Sequence, residues 1–123
     1  MVLLRSVNNQ TTTVPTVGGA RITTVRYDGP DIDFAVLTGQ VDLIGLAFLF
    51  GNTLAFGMRI QRLSLLAILT QRETLFCNTG VVATMSDVLM SNLVWGDVIE
   101  CWVSSQFPDR WAVRANGFSV MVR

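Results

Sequence analysis

The carboxylate best placed for acid–base chemistry is Glu100, in the run VIECWVSS at residues 98–105. Burial between apolar neighbours such as Ile99 and Cys101 is one way proteins tune a carboxyl for proton transfer. A glycosidase needs two such groups facing a cleft. Asp97 is close in sequence but falls at a Gly-Asp corner, and no second partner is evident. The plainer reading is charge neutralisation by an arginine across an interface, with Arg59 or Arg114 as donor. The chain has no Lys and no His. That excludes imidazole acids and bases, lysine Schiff bases, Ser-His and Cys-His dyads, and His-ligated metals.

Three further groupings could carry chemistry. Asp28, Asp31 and Asp33 crowd into DGPDID, and oxygen-rich loops bind calcium, yet the EF-hand ligand order is missing. Aspartates beside a Gly-Pro turn need no ion to be there, so no metal and no cofactor are expected. Trp95, Trp102 and Trp111, with Phe107 between them, could stack on a sugar while Arg110 and Asn116 take its hydroxyls. Packing in a core or between subunits is the commoner use of such rings. The loop SSQFPD at residues 104–109 has the Pro and polar residues of an exposed recognition element. Phe107, Asp109, Arg110 and Trp111 are therefore the candidates for glycan or host-receptor binding. Cys77 and Cys101 form no CxxC pair and no zinc spacing, which leaves buried thiols as the default and a disulfide open.

The elements that would position these groups are short and β-like. Leu54, Phe56, Met58 and Ile60 alternate with Ala55, Gly57, Arg59 and Gln61, a period of two. ARITTVRY, IDFAVLT, DLIGLAFLF, Leu63–Leu69, TLFC, VVATM and MSDVLMSNLVW read as further strands broken by DGPD, TGQ, Gly51-Asn52 and Asn78-Thr79-Gly80. The last segments are Val98–Ser104, Trp111–Arg114 and Phe118–Arg123. About eight to ten short strands and no long helix predict an all-β sandwich or barrel. Residues 8–19 are mostly polar, carry a Pro and end in two glycines, so residues 1–19 read as an N-terminal arm before a domain at residues 20–123, with Val2, Leu3, Leu4 and Val7 favouring an extended, ordered segment over a flexible leader.

Half of the residues are hydrophobic and 15% are charged, against about 25% charged in ordinary soluble domains. A small domain has little interior in which to hide that excess, so sister copies are expected to cover part of it. Nine arginines balance nine acids, giving no field to draw nucleic acid or an anionic membrane. Val41–Met58 has the length of a membrane span, but Asp42, Asn52 and three glycines interrupt it and Arg59 and Arg62 follow. No membrane partner is expected.

The C-terminal third carries a resemblance. Val88, Leu89 and Leu93, the corner Gly96-Asp97, then Val98 and Trp102, and finally Asn116, Gly117, Phe118 and Ser119 resemble the end of the globular heads of the first complement component and of tumour necrosis factor. The match covers residues 86–123. Heads of that superfamily are trimeric jelly rolls, and similar trimers occur in bacteriophage fibre heads and capsid attachments. The resemblance implies a jelly-roll homotrimer, and because the strands from Val98 and from Phe118 are apolar on both faces, Val98, Glu100, Trp102, Phe118 and Val120 are the oligomer-interface candidates. The function expected from it is non-enzymatic: a virion structural protein, as capsid decoration or fibre head, held to other virion or capsid proteins through its arm.

Overall fold

The computed structural model describes residues 2–6, 11–13, 19–47, 53–62, 67–77, 82–105 and 111–123. They form nine strands: β1 (Val2–Ser6), β2 (Thr11–Thr13), β3 (Gly19–Arg26), β4 (Ile32–Ala47), β5 (Thr53–Arg62), β6 (Ala67–Cys77), β7 (Val82–Leu93), β8 (Val98–Ser105) and β9 (Trp111–Val122). One sheet has the order β1-β9-β4-β7, with β2 also paired to β9; the other has the order β3-β8-β5-β6. Every pairing is antiparallel. From β2 onward, and apart from the β5–β6 pair, the chain crosses between the two layers as it goes, so most strands adjacent in a sheet are distant in sequence. The result is an antiparallel jelly-roll sandwich, and no helix occurs among the described residues.

Alternation fills the space between the sheets. Phe56, Met58 and Ile60 from β5 meet Ile99, Cys101 and Val103 from β8 on one side, all buried. Ala35, Leu37 and Val41 from β4 and Phe118, Val120 and Val122 from β9 face them from the other sheet. Burying side chains of this kind is worth roughly 1.5–3 kcal/mol each, and nothing else favours the fold as strongly. Val2, Leu4 and Ile32 pack against the rim of that core.

TGQ reads as a break in the chain, yet β4 runs straight through Thr38, Gly39 and Gln40. Gly39 is there for packing. A methyl group at this position would collide with Sδ of buried Met58, so the glycine lets the opposite sheet come close. Asn116-Gly117 likewise lies within a strand. Between Val41 and Leu43 the register on β9 slips from Phe118 to Ala115, a bulge that Gly117 accommodates at φ +115°. A second slip, between Ile32 and Ala35, leaves Ile32 against the core while Phe34 and Val36 turn outward. The first nineteen residues, read as an arm, supply β1 and β2, both bonded to β9 in the first sheet.

The Gly-Asp corner between β7 and β8 is a structural joint. Asp97, fully buried, accepts from Arg62 Nε at Oδ1 and from Arg62 Nη2 at Oδ2, both at 3.0 Å. Oδ2 also accepts the Val94 N–H at 3.0 Å. Tyr27 N–H donates to the Asp97 carbonyl at 2.9 Å and Gly96 N–H to the Tyr27 carbonyl at 2.7 Å. The corner thus ties β8 to the end of β5 and to the loop after β3. Its carboxylate raises the Arg62 pKa through hydrogen bonding, against an opposing contribution from burial.

Candidate interaction face

Each sheet has one side turned away from the core, and the functional candidates divide between these sides. On the second sheet, β8 presents Val98, Glu100 and Trp102 outward. The register sets Arg59 of β5 directly opposite Glu100. Arg59 donates to Glu100 Oε2 from Nε at 3.2 Å and from Nη2 at 2.9 Å. Arg21 of β3 donates from Nη1 to Oε1 at 3.3 Å. Roofed by two guanidiniums, Glu100 is only 2% exposed although its strand face points out. The Arg59 guanidinium lies 3.3 Å from the centre of the Trp102 ring. That stack is a cation–π contact of the kind worth about 0.5–2 kcal/mol. Gly57 stands opposite Trp102 and leaves the ring and Arg59 that space.

Glu100 is therefore occupied. Both of its oxygens hold arginines of the same chain, so the partner expected across an interface is intramolecular. Cys101, beneath it on the inner face, is a free thiol whose pKa burial pushes up to about 12. Neither group is poised as a nucleophile or general base. Cys77 closes β6 opposite Thr53, five residues along β5 from Met58, the partner of Cys101. At about 3.3 Å per residue that offset exceeds disulfide reach.

The outer side of the first sheet is different in kind. Leu3, Met121, Thr38 and Val88 stand in register across β1, β9, β4 and β7. One row on, Val36 faces Met90, and Phe34 follows on the same side. Phe34 is 72% exposed, Met90 61%, Leu3 43% and Val88 41%. On the other flank the row Arg5, Ser119, Gln40 and Ser86 is polar. A mainly apolar strip, interrupted by Thr38 and flanked by Arg123 beside Val36, crosses four strands and has a polar border. Exposed apolar surface of this continuity marks interaction sites.

The sequence-derived interface set straddles both sides of the sandwich. Val98, Glu100 and Trp102 share one face, the outer one of the second sheet. Phe118 and Val120 lie in the core instead, at 1% and 0% exposure, because β9 turns that face toward β5 and β8. The residues missed are Leu3, Phe34, Val88, Met90 and Met121. Met121 was legible once Phe118 is core, since the next position but two on a strand must face the other way. Phe107, Asp109 and Arg110 lie outside the described residues; Trp111 opens β9 opposite Ala47. Asp28, Asp31 and Asp33 are all exposed, and Asp31 Oδ1 accepts the Trp95 N–H at 3.4 Å.

No family model and no curated protein matches the chain. Solved structures do. Those of infectious bursal disease virus, Gt and Gx strains, each superpose with TM-score 0.53 at 15% and 14% identity, over 98% of this chain and 31% of the viral chain. The chain thus spans less than a third of the viral chains it matches. Eiger TNF from S. frugiperda superposes with TM-score 0.49 at 10% identity, over 96% of this chain and 83% of that one. The globular domain of zebrafish complement 1qA protein gives TM-score 0.45 at 12% identity, over 97% and 94%. The viral matches run over nearly the whole chain, and at such identities the likeness is one of fold.

Proposed function

We propose that this chain is a non-enzymatic structural protein of a virus particle, a homotrimeric jelly roll serving as capsid decoration or as a fibre head. The observation that carries this reading is the apolar strip on the outer side of the first sheet. Leu3, Met121, Val36, Val88, Met90 and Phe34 leave more apolar surface in water than one copy can cover. In a closed ring of three, the strip of each copy is covered by a different surface of its neighbour, repeated head to tail. The fold shared with structures of a virus supports the setting. Attachment to the particle runs through residues 1–19, whose strands β1 and β2 form one edge of that sheet.

Light scattering over a dilution series tests this directly. The expected mass is three times the 13.5 kDa chain. Met90→Glu combined with Met121→Glu should reduce it to one chain without altering the β circular dichroism. A wild-type chain that stays monomeric at millimolar concentration would sink the reading.

A further inference from the structure

We infer that Asp87 guards the free edge of β7 and keeps copies of this chain from joining edge to edge. In the first sheet β7 is the last strand, bonded to β4 on one side and, among the described residues, to no strand on the other. The ladder fixes which of its amides point outward. Val36 exchanges both backbone bonds with Arg123, at 3.1 and 3.0 Å, so its N–H and C=O face β9. Alternation turns Leu37 and Gly39 the other way, toward Leu89 and Asp87 on β7. Val88, between those two, therefore aims its N–H out of the sheet's edge. An arriving strand needs that donor, and it is already used: Val88 N–H donates to Asp87 Oδ1 at 2.8 Å.

The same carboxylate lies on the inner face of an edge strand. Asp87 is 8% exposed, and its Oδ2 is buried with no hydrogen-bond partner. Opposite it stands Gly39, which has no side chain to meet it. A buried carboxylate oxygen left unbonded costs stability, so packing does not account for this residue. Edge protection does. A strand laid beyond β7 would have to displace the Val88–Asp87 bond and seal the charge away from water, and inward-pointing charges are a recurrent defence of sheet edges. Val88 and Met90, the outward residues that follow Asp87 along β7, are exposed and apolar and offer no such defence. This role concerns the edge of the sheet and goes beyond the association through the strip proposed above.

The test is Asp87→Val in a Leu3→Glu, Met121→Glu background, which weakens the face and leaves β7 alone. The expected result is a folded protein at least as resistant to urea as its parent. Its weight-average mass rises about twofold or more, because an edge contact joins one chain to another, and amide exchange slows at Val88 and Met90. Asp87→Asn keeps an oxygen for the Val88 N–H while removing the charge, and should give a smaller rise. A folded Asp87→Val protein with the parent's mass and unchanged exchange overturns the inference. Loss of folding in both variants overturns it too, by making Asp87 a requirement of the core.

Discussion

Each sheet of this jelly roll turns one side inward and one side out, but the two outer sides are finished differently. On the second sheet the outward positions satisfy one another: Glu100 holds Arg59 and Arg21, and Arg59 covers Trp102. On the first, Leu3, Val88, Met90 and Phe34 face solvent beside a row of Arg5, Ser119, Gln40 and Ser86. Among the described residues, one side pairs its own side chains and the other leaves apolar ones in water. Outer sides of sheets are usually polar, so the apolar one is the anomaly that calls for a partner.

The contrast between the sheets fails first if the closed side is not really closed. Glu100→Ala leaves Arg59, largely covered at the centre of that face, with no counter-charge. The expected loss is about 3–5 kcal/mol of unfolding free energy, the usual cost of breaking a buried pair from one end. Replacing both partners, Glu100→Leu with Arg59→Met, should recover most of it, since two apolar groups leave no orphan. Urea titration of the two proteins reads both effects. A Glu100→Ala protein as stable as its parent would mean that the guanidiniums are solvated and that the second sheet is no more self-sufficient than the first.

A smaller effect probes the same sheet from beneath. Cys101 lies under the Glu100 face, and burial raises its thiol from the ordinary 9.0 to about 12. An acid whose folded pKa lies above its unfolded value keeps its proton longer when folded. Between those two values the unfolded chain has lost the proton and the folded chain has not, so stability is full below about pH 9 and falls as pH rises toward 12. Tyr27 acts in the same direction, raised first by burial and then by Asp31 and Asp28. Cys101→Ala should therefore lessen the alkaline loss, measured by thermal melts across that range, without abolishing it. An unchanged slope would show that water reaches the thiol through the sheet.

Much of this division can be read from the sequence, and where it cannot the reason is physical. Strict alternation in β5 and β8 identifies both faces of each strand correctly, because both faces are long and regular. Alternation does not say which face is inner when both are apolar. On β9, Phe118 and Val120 are core and Met121 faces out. The answer depends on the sheet lying opposite, which is a long-range fact. Gly39 misleads for a related reason. A glycine in a strand is a turn signal locally, and only Met58, from the other sheet, shows that it is a packing device. The apolar neighbours of Glu100 point correctly to neutralisation by arginine, and Arg59 is one of the two donors expected, but the pair is within one chain because β5 and β8 are neighbours. Asp87 gives no signal at all, since an Asp in an alternating stretch reads as solvated until its strand is known to be an edge.

The smallest expected effect on stability is the most telling for the open side. Phe118 and Met121 lie three residues apart on β9, on opposite sides of the first sheet, the one buried and the other half-buried. Met121 sits in the middle of the strip, between Leu3 and Thr38. Met121→Ser removes little that the single chain uses, so unfolding of the dilute monomer should shift by no more than about 0.5 kcal/mol. Its consequence should appear only with concentration: the wild-type melting temperature rises as copies associate, and the variant's does not. If Met121→Ser instead destabilises the monomer as a core truncation would, by about 2–5 kcal/mol, then the strip is covered within one chain. The difference between the two sheets would then be one of composition and not of assembly.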